Sequence, residues 1–189
     1  IKRDSANKVE AFAEPGQSLD GAKKETVIFI EIDTQTSKKD IDALTKELFS
    51  VVDEVSLAVK DWQDMTNTLQ DVIKNNAKYN WPVSADAKKQ TKAYLEWLGD
   101  HNFTMMGYRY YDVKAIEGDH RWIPRNDTSL GLLNNSVNDR ERLLSRLPAS
   151  ARAEALSKNP LILTKTNSRA RVHRPAYMDY VGVKVFNKE

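Results

Sequence analysis

The chain has 189 residues, of which 40% are hydrophobic and 30% charged, with a formal net charge of +2. That composition fits one ordinary globular domain, or a small domain with an appendage, and the charge is too small to argue for nucleic acid. The complete lack of cysteine excludes disulfides, cysteine zinc sites and a thiol nucleophile, and suits a cytoplasmic location.

No apolar run approaches the roughly 18 residues of a membrane helix. The N-terminus, Ile1-Lys-Arg-Asp4, shows neither an initiator Met nor a signal-peptide pattern. A piece of a longer polypeptide is expected. Asn102-Phe-Thr104, Asn126-Asp-Thr128 and Asn134-Asn-Ser136 match the glycosylation pattern, as chance matches in a cytoplasmic protein.

Residues 1–25 are polar, with turn signals at Pro15-Gly16 and Asp20-Gly21 and a weak strand hint in Val9, Ala11 and Ala13. Thr26-Val-Ile-Phe-Ile-Glu-Ile-Asp33 is rich in β-branched and aromatic residues and predicts a strand buried on part of both faces. Ser37 predicts the cap of a long helix over about 38–77, with Asp40 at the capping-box position. Its apolar residues Ile41, Leu44, Leu48, Val51, Val55, Ala58, Trp62, Met65, Leu69 and Val72 step by three and four. This continuous seam fits either a helix packed on a second helix or an intermolecular coiled coil.

Trp81-Pro82 ends that helix, and Ser84 predicts a second one over 85–100, with Ala87, Thr91, Tyr94, Leu95 and Leu98 on one face. The short connection favours an antiparallel pair.

Asn102 to Val113 predicts an aromatic-rich strand in which Gly107 marks a bulge or a close backbone approach. Glu117-Gly118-Asp119 predicts a turn into a short return strand, Arg121 to Ile123, ending at Pro124. Leu130-Gly-Leu-Leu133 reads as an apolar island in a polar loop. Asn138 or Asp139 is expected to cap a helix from Arg140 to Leu147, and Ser150 another reaching Ser157. Leu161 to Lys165 and Ala176 to Phe186 predict two further strands. The order strand, strand, helices, strand, strand makes this an α+β chain.

Few residues suggest chemistry. The seven glycines form neither a G-x-G-x-x-G nor a G-x-x-x-x-G-K pattern. No G-x-S-x-G elbow occurs, and His101, His120 and His173 lie too far apart in sequence to suggest a metal site. The expectation is no catalytic, cofactor-binding or metal residue in this chain, and no nucleic-acid or membrane partner. The carboxylates fall mostly on helix faces opposite the apolar ones, as solvated groups do.

The one candidate site is a basic run: Lys165, Arg169, Arg171, His173 and Arg174, with no acidic residue from Thr164 to Arg174. On a strand, Arg169, Arg171 and His173 would share a face. Guanidinium forks suit carboxylates and phosphates. The run fits salt bridges within a larger assembly, a small anionic or amino-acid effector, or RNA, although its aromatics follow no RNA-binding pattern.

Asn167-Ser-Arg-Ala-Arg-Val-His-Arg-Pro-Ala-Tyr-Met-Asp-Tyr-Val-Gly-Val-Lys184 resembles a signature stretch of the large bacterial NAD-dependent glutamate dehydrogenases. Glu31-Ile-Asp-Thr-Gln35, Asp61-Trp-Gln-Asp-Met65, and Glu96-Trp-Leu98 with Phe103-Thr-Met-Met-Gly-Tyr-Arg-Tyr110 are similar in the same order. The sequence departs from the family at Thr34, where Arg is usual, at Met105-Met106, where Phe-Leu is usual, and at Val185, where Arg is usual.

The resemblance implies a segment of the N-terminal, non-catalytic part of such an enzyme, with regulation and homo-oligomer assembly as its roles. Residues 1–36 would close an ACT-like domain, 37–100 would be a helical connector, and 101–189 a PAS-like domain lacking its last strand. NAD would belong to the parent enzyme and not to this segment. The partners implied are the rest of the subunit, neighbouring subunits and a small effector.

Overall fold

Near the N-terminus, Asp4 sets up a tight turn: its Oδ1 accepts from the backbone N–H of Ala6 and of Lys8, both at 2.9 Å. Asn7 takes a positive φ of 64° there, which Asn tolerates better than most residues. The turn joins β1 (Lys2–Arg3) antiparallel to β2 (Val9–Ala11). The expected strand around Val9 is therefore present, and β1 is an addition. Beside it, Arg3 grips Glu25 bidentately at 2.8 and 2.7 Å.

The computed structural model describes residues 1–134 and 140–186, in two compact units, Ile1–Ile41 and Asp42–Glu189. In the first unit the predicted strand Thr26–Asp33 does not form. The stretch has no regular structure, and Val27, Ile28, Phe29, Ile30 and Ile32 are all at least 60% exposed. Composition alone cannot make a strand, because its backbone needs a paired edge and its side chains a face to cover. Ser37 does cap: its Oγ accepts from Asp40 N at 3.4 Å.

The predicted 38–77 helix is bent into α1 (Lys38–Lys60) and α2 (Trp62–Asn75). At the joint, Asp61 has φ −97° and ψ 6°. Backbone bonds from Asp61 N to Leu57 O (3.3 Å) and from Met65 N to Asp61 O (3.0 Å) span it. A tertiary contact marks the bend, since Asp61, only 6% exposed, accepts Gly131 N–H on Oδ2 at 2.8 Å. The seam splits accordingly. α1 buries no residue, whereas α2 buries Met65 and Ile73.

A 3-10 turn, Asn76–Tyr79, and left-handed Asn80 lead to α3 (Ala85–Trp97). Ser84 caps α3 by accepting from Ala87 N at 3.2 Å. The expected extension to residue 100 is a π turn, Leu98–Asn102, carrying left-handed His101. Gly99 lies against Leu69, Gln70 and Ile73 of α2, so a larger residue there would push the helices apart.

β3 (Gly107–Ile116) turns at Glu117-Gly118 into β4 (Asp119–Gly131), and β5 (Arg142–Leu143) adds an edge, all antiparallel. Gly107 does mark a close approach, with a bulge just beyond it between Tyr108 and Tyr110. β4 does not stop at Pro124, contrary to expectation. β5 covers only Arg121 and Trp122, so Pro124 pairs with Tyr111 on one side and needs no donor on the other. Leu130 and Gly131 belong to this strand, not to a loop.

The helix expected over Arg140–Leu147 is replaced by β5 and a 3-10 turn, Leu144–Arg146; edge pairing and burial of Leu144 outweigh local helix propensity. Its expected caps, Asn138 and Asp139, lie outside the described residues, as do Asn135 and Ser136. α4 (Ala149–Leu156) starts after Pro148, one residue before the predicted cap Ser150. β6 (Leu161–Arg169) and β7 (Tyr177–Val183) form a separate antiparallel pair. The molecule is α+β as predicted, with small antiparallel sheets and four α-helices among the described residues.

Ile73, Trp81, Leu95 and Leu98 form the buried centre of the second unit. Leu161, Val181, Val183 and Phe186 pack on it, so α2, α3 and the β6–β7 pair share one core. Each such side chain contributes about 1.5–3 kcal/mol when fully buried. The C-terminal strand is also tied down by polar bonds. Trp81 Nε1 donates to Lys184 O at 2.7 Å, Asn80 Nδ2 to Phe186 O at 3.0 Å, and Phe186 N to Tyr79 O at 3.0 Å.

Candidate functional site

The basic run is not one strand face. β6 ends at Arg169, and residues 170–176 form a bent loop closed by Ala170 N donating to Ala176 O at 2.8 Å. Val172, 5% exposed, anchors it, and His173 takes a left-handed φ of 68°. A β-alternation cannot survive that turn, so Arg169, Arg171 and His173 are splayed apart.

Arg171 reaches α1. Its Nε donates to Glu54 Oε1 at 3.1 Å and its Nη2 to Ser50 Oγ at 2.8 Å; it also pairs with the carboxylates of Glu47 and Glu54 through Nη1 and Nη2. Glu47, Ser50 and Glu54 are three and four residues apart, which places them on one helix face. Hydrogen bonds to Glu54 first, and then to Glu47, push the already high pKa of Arg171 further up.

The other cations go elsewhere. Lys165 pairs with Asp179, its cross-strand neighbour. Arg169 donates to Pro175 O at 3.1 Å and lies over the Tyr177 ring at 5.7 Å. His173 and Arg174 are exposed, and no hydrogen bond or ion pair involves their side chains among the described residues.

Between the loop and α1 lies an open cleft of about 450 Å³, walled by Asp53, Glu54 and Leu57 on one side and by Arg169, Arg171 and Met178 on the other. Both charge signs and some apolar surface face it. No group of three metal-ligating side chains gathers among the described residues.

Sequence reading missed the buried polar contacts. Arg109, 8% exposed, donates Nε to Ser129 Oγ at 2.7 Å and Nη2 to Leu133 O. Lys184 Nζ donates to Glu154 O at 2.6 Å and to Ser157 O at 2.8 Å, holding the last carbonyls of α4 as a cation suits a helix C-terminus. Burial lowers the Lys184 pKa, partly offset by Glu154. Burial also pushes the Tyr180 phenol up to about 12. Asp61, Arg109 and Lys184 all fall within the stretches that carried the family resemblance. That was the available signal, and the contacts it marks are structural.

Residues 1–48 match the family model described as the glutamate dehydrogenase ACT1 domain. Over 97% of its length the chain is 28% identical to an NAD-specific glutamate dehydrogenase of Pseudomonas aeruginosa. Over its whole length it is 25% identical to one of Halomonas elongata. The chain is thus similar to NAD-specific glutamate dehydrogenases, as the Asn167–Lys184 stretch led one to expect. It spans 11% and 12% of the length of these two relatives. No solved structure matches.

Among the described residues no glycine-rich turn leads into a helix. Gly99, Gly107, Gly131 and Gly182 are packed against side chains or backbone, and Gly16, Gly21 and Gly118 take positive φ in the N-terminal unit and the β3–β4 turn. None opens a helix as a phosphate cradle must.

Proposed function

We propose that this chain is a regulatory and assembly segment from the N-terminal, non-catalytic part of an NAD-dependent glutamate dehydrogenase. The observation that carries the reading is the ACT1 match at residues 1–48 within a chain covering about a tenth of its relatives. The parent would be a cytoplasmic homo-oligomer converting L-glutamate, NAD and water to 2-oxoglutarate, ammonia and NADH, with NAD held outside this segment. Residues 1–36 would close the ACT-like domain, 37–100 would connect, and 101–189 would be PAS-like, its sheet completed by parent-chain contacts. Among the described residues no helix is long and apolar enough to cross a membrane. The purified chain should form no NADH from glutamate and NAD, while the parent lacking residues 1–189 should lose regulation or assembly. NADH formation by the chain alone, or an unaltered truncated parent, refutes the reading.

The cleft supports a second reading, in which Arg169 and Arg171, which line it, receive a small anionic or amino-acid effector; Lys165, His173 and Arg174, expected beside them, are not among its lining residues. A thermal shift with an amino-acid and nucleotide panel, abolished by Arg171→Ala, is the expected result. No shift with any member refutes it.

A further inference from the structure

We propose that the cleft between α1 and the 170–176 loop takes a zwitterion with an apolar body, its ammonium on Asp53 and its carboxylate on Arg169. The proposal rests on the effector reading above and commits it to one chemical class.

The charged groups of the cleft differ in what they already hold. Arg171 and Glu54 answer each other, and Arg171 also binds Glu47 and Ser50. Arg171 therefore builds the wall. Two other charged side chains line the cleft. Asp53 is exposed on α1, and no hydrogen bond or ion pair involves its carboxylate among the described residues. Arg169 is exposed on the opposite wall. It donates Nη2 to Pro175 O, while Nε and Nη1 make no hydrogen bond among the described residues. The cleft thus offers one open carboxylate and one open guanidinium edge.

That pair selects among ligands. Asp53 and Glu54 balance Arg169 and Arg171, so the lining as a whole attracts net charge of neither sign. A phosphate or a dicarboxylate would gain Arg169 but face two acids, and a simple amine would gain Asp53 but face two guanidiniums. A molecule with one charge of each sign gains at both ends. The planar edge of Arg169 suits a carboxylate, and the acceptor-only Asp53 suits the three donors of an ammonium. Leu57, Leu132 and Met178 supply half-buried apolar surface between them. A methionine there adapts to different shapes. An α-amino acid with an aliphatic side chain is the simplest molecule that meets all three surfaces.

The test is isothermal titration calorimetry of the 189-residue chain with L-norleucine, hexanoate and pentylamine. The three share an alkyl chain and carry both charges, the carboxylate alone and the ammonium alone. The expected result is saturable, millimolar binding of norleucine, since an open cleft covers a small ligand only in part. Each single-charge analogue should bind at least tenfold more weakly. Asp53→Asn and Arg169→Gln should each weaken norleucine at least tenfold. Both residues are exposed, so circular dichroism should stay native. Hexanoate binding as tightly as norleucine overturns the zwitterion and leaves the anionic effector standing. Norleucine binding that is indifferent to Asp53→Asn overturns it too. Norleucine that does not bind overturns the proposal alone if another member of the amino-acid and nucleotide panel shifts the melt, and the effector reading with it if none does.

Discussion

Replacing Gly131 by Ala tests whether the contact between the helix bend and the β3–β4 hairpin is as tight as its geometry states. Gly131 has φ 59°, and a Cβ there would run into Met106 O and approach Met106 C and Gly107 Cα at 3.1 Å. All three are backbone atoms, so no rotamer change relieves the clash. Its N–H donates to Asp61, so retreat of the strand also breaks the bond at the α1–α2 bend. Left-handed backbone costs Ala about 1 kcal/mol, and overpacking a tight site adds about 1–3 kcal/mol. Gly118→Ala is the control: φ is 70°, but nothing lies within 4 Å of the added methyl. That variant should lose only the backbone part, about 1 kcal/mol. The contrast, about 2 kcal/mol, should appear in urea unfolding as a midpoint difference of about 1 M at a slope near 2 kcal/mol/M. Tryptophan fluorescence can follow it, since Trp81 lies in the core. Equal losses in the two variants would refute the close approach.

Two further outcomes follow from the second unit. Tyr180 holds its proton to about pH 12, while an unfolded tyrosine ionises near 10. Its folded pKa is raised, so its contribution is intact below pH 10 and is lost as pH rises toward 12, on the order of 2 kcal/mol in all. Tyr180→Phe should flatten that alkaline decline in thermal melts, and an unchanged slope counts against burial of the phenol. Arg171→Ala should release the 170–176 loop, seen as faster amide exchange at Val172 to Arg174. Because the Arg171 contacts are exposed, high salt should reproduce part of that effect in the wild type. Salt-independent exchange would show that the ion pairs do not hold the loop.

Features specified by neighbouring residues were legible in the sequence. Ser84 caps α3, Glu117-Gly118 turns the hairpin, and β6 and β7 begin close to their predicted starts, because each depends on local chemistry. What failed needed distant partners. The bend at Asp61 answers to Gly131, 70 residues away. Thr26–Asp33 has strand composition but no edge to join. Pro124 stays inside β4 only because β5 stops short of it. The site followed the same rule: the basic run was legible, but the partners of Arg171 lie 117 and 124 positions earlier.

The bonds joining Tyr79, Asn80 and Trp81 to Lys184 and Phe186 close a loop of about a hundred residues without any covalent link. A ribosome releases Trp81 long before it releases Phe186. At about 5–20 residues per second, the α2–α3 pair waits several seconds with its core open. The second unit can therefore reach its native state only after β7 has left the exit tunnel. During that interval the uncovered faces of Ile73, Leu95 and Leu98 are the surfaces a chaperone would meet.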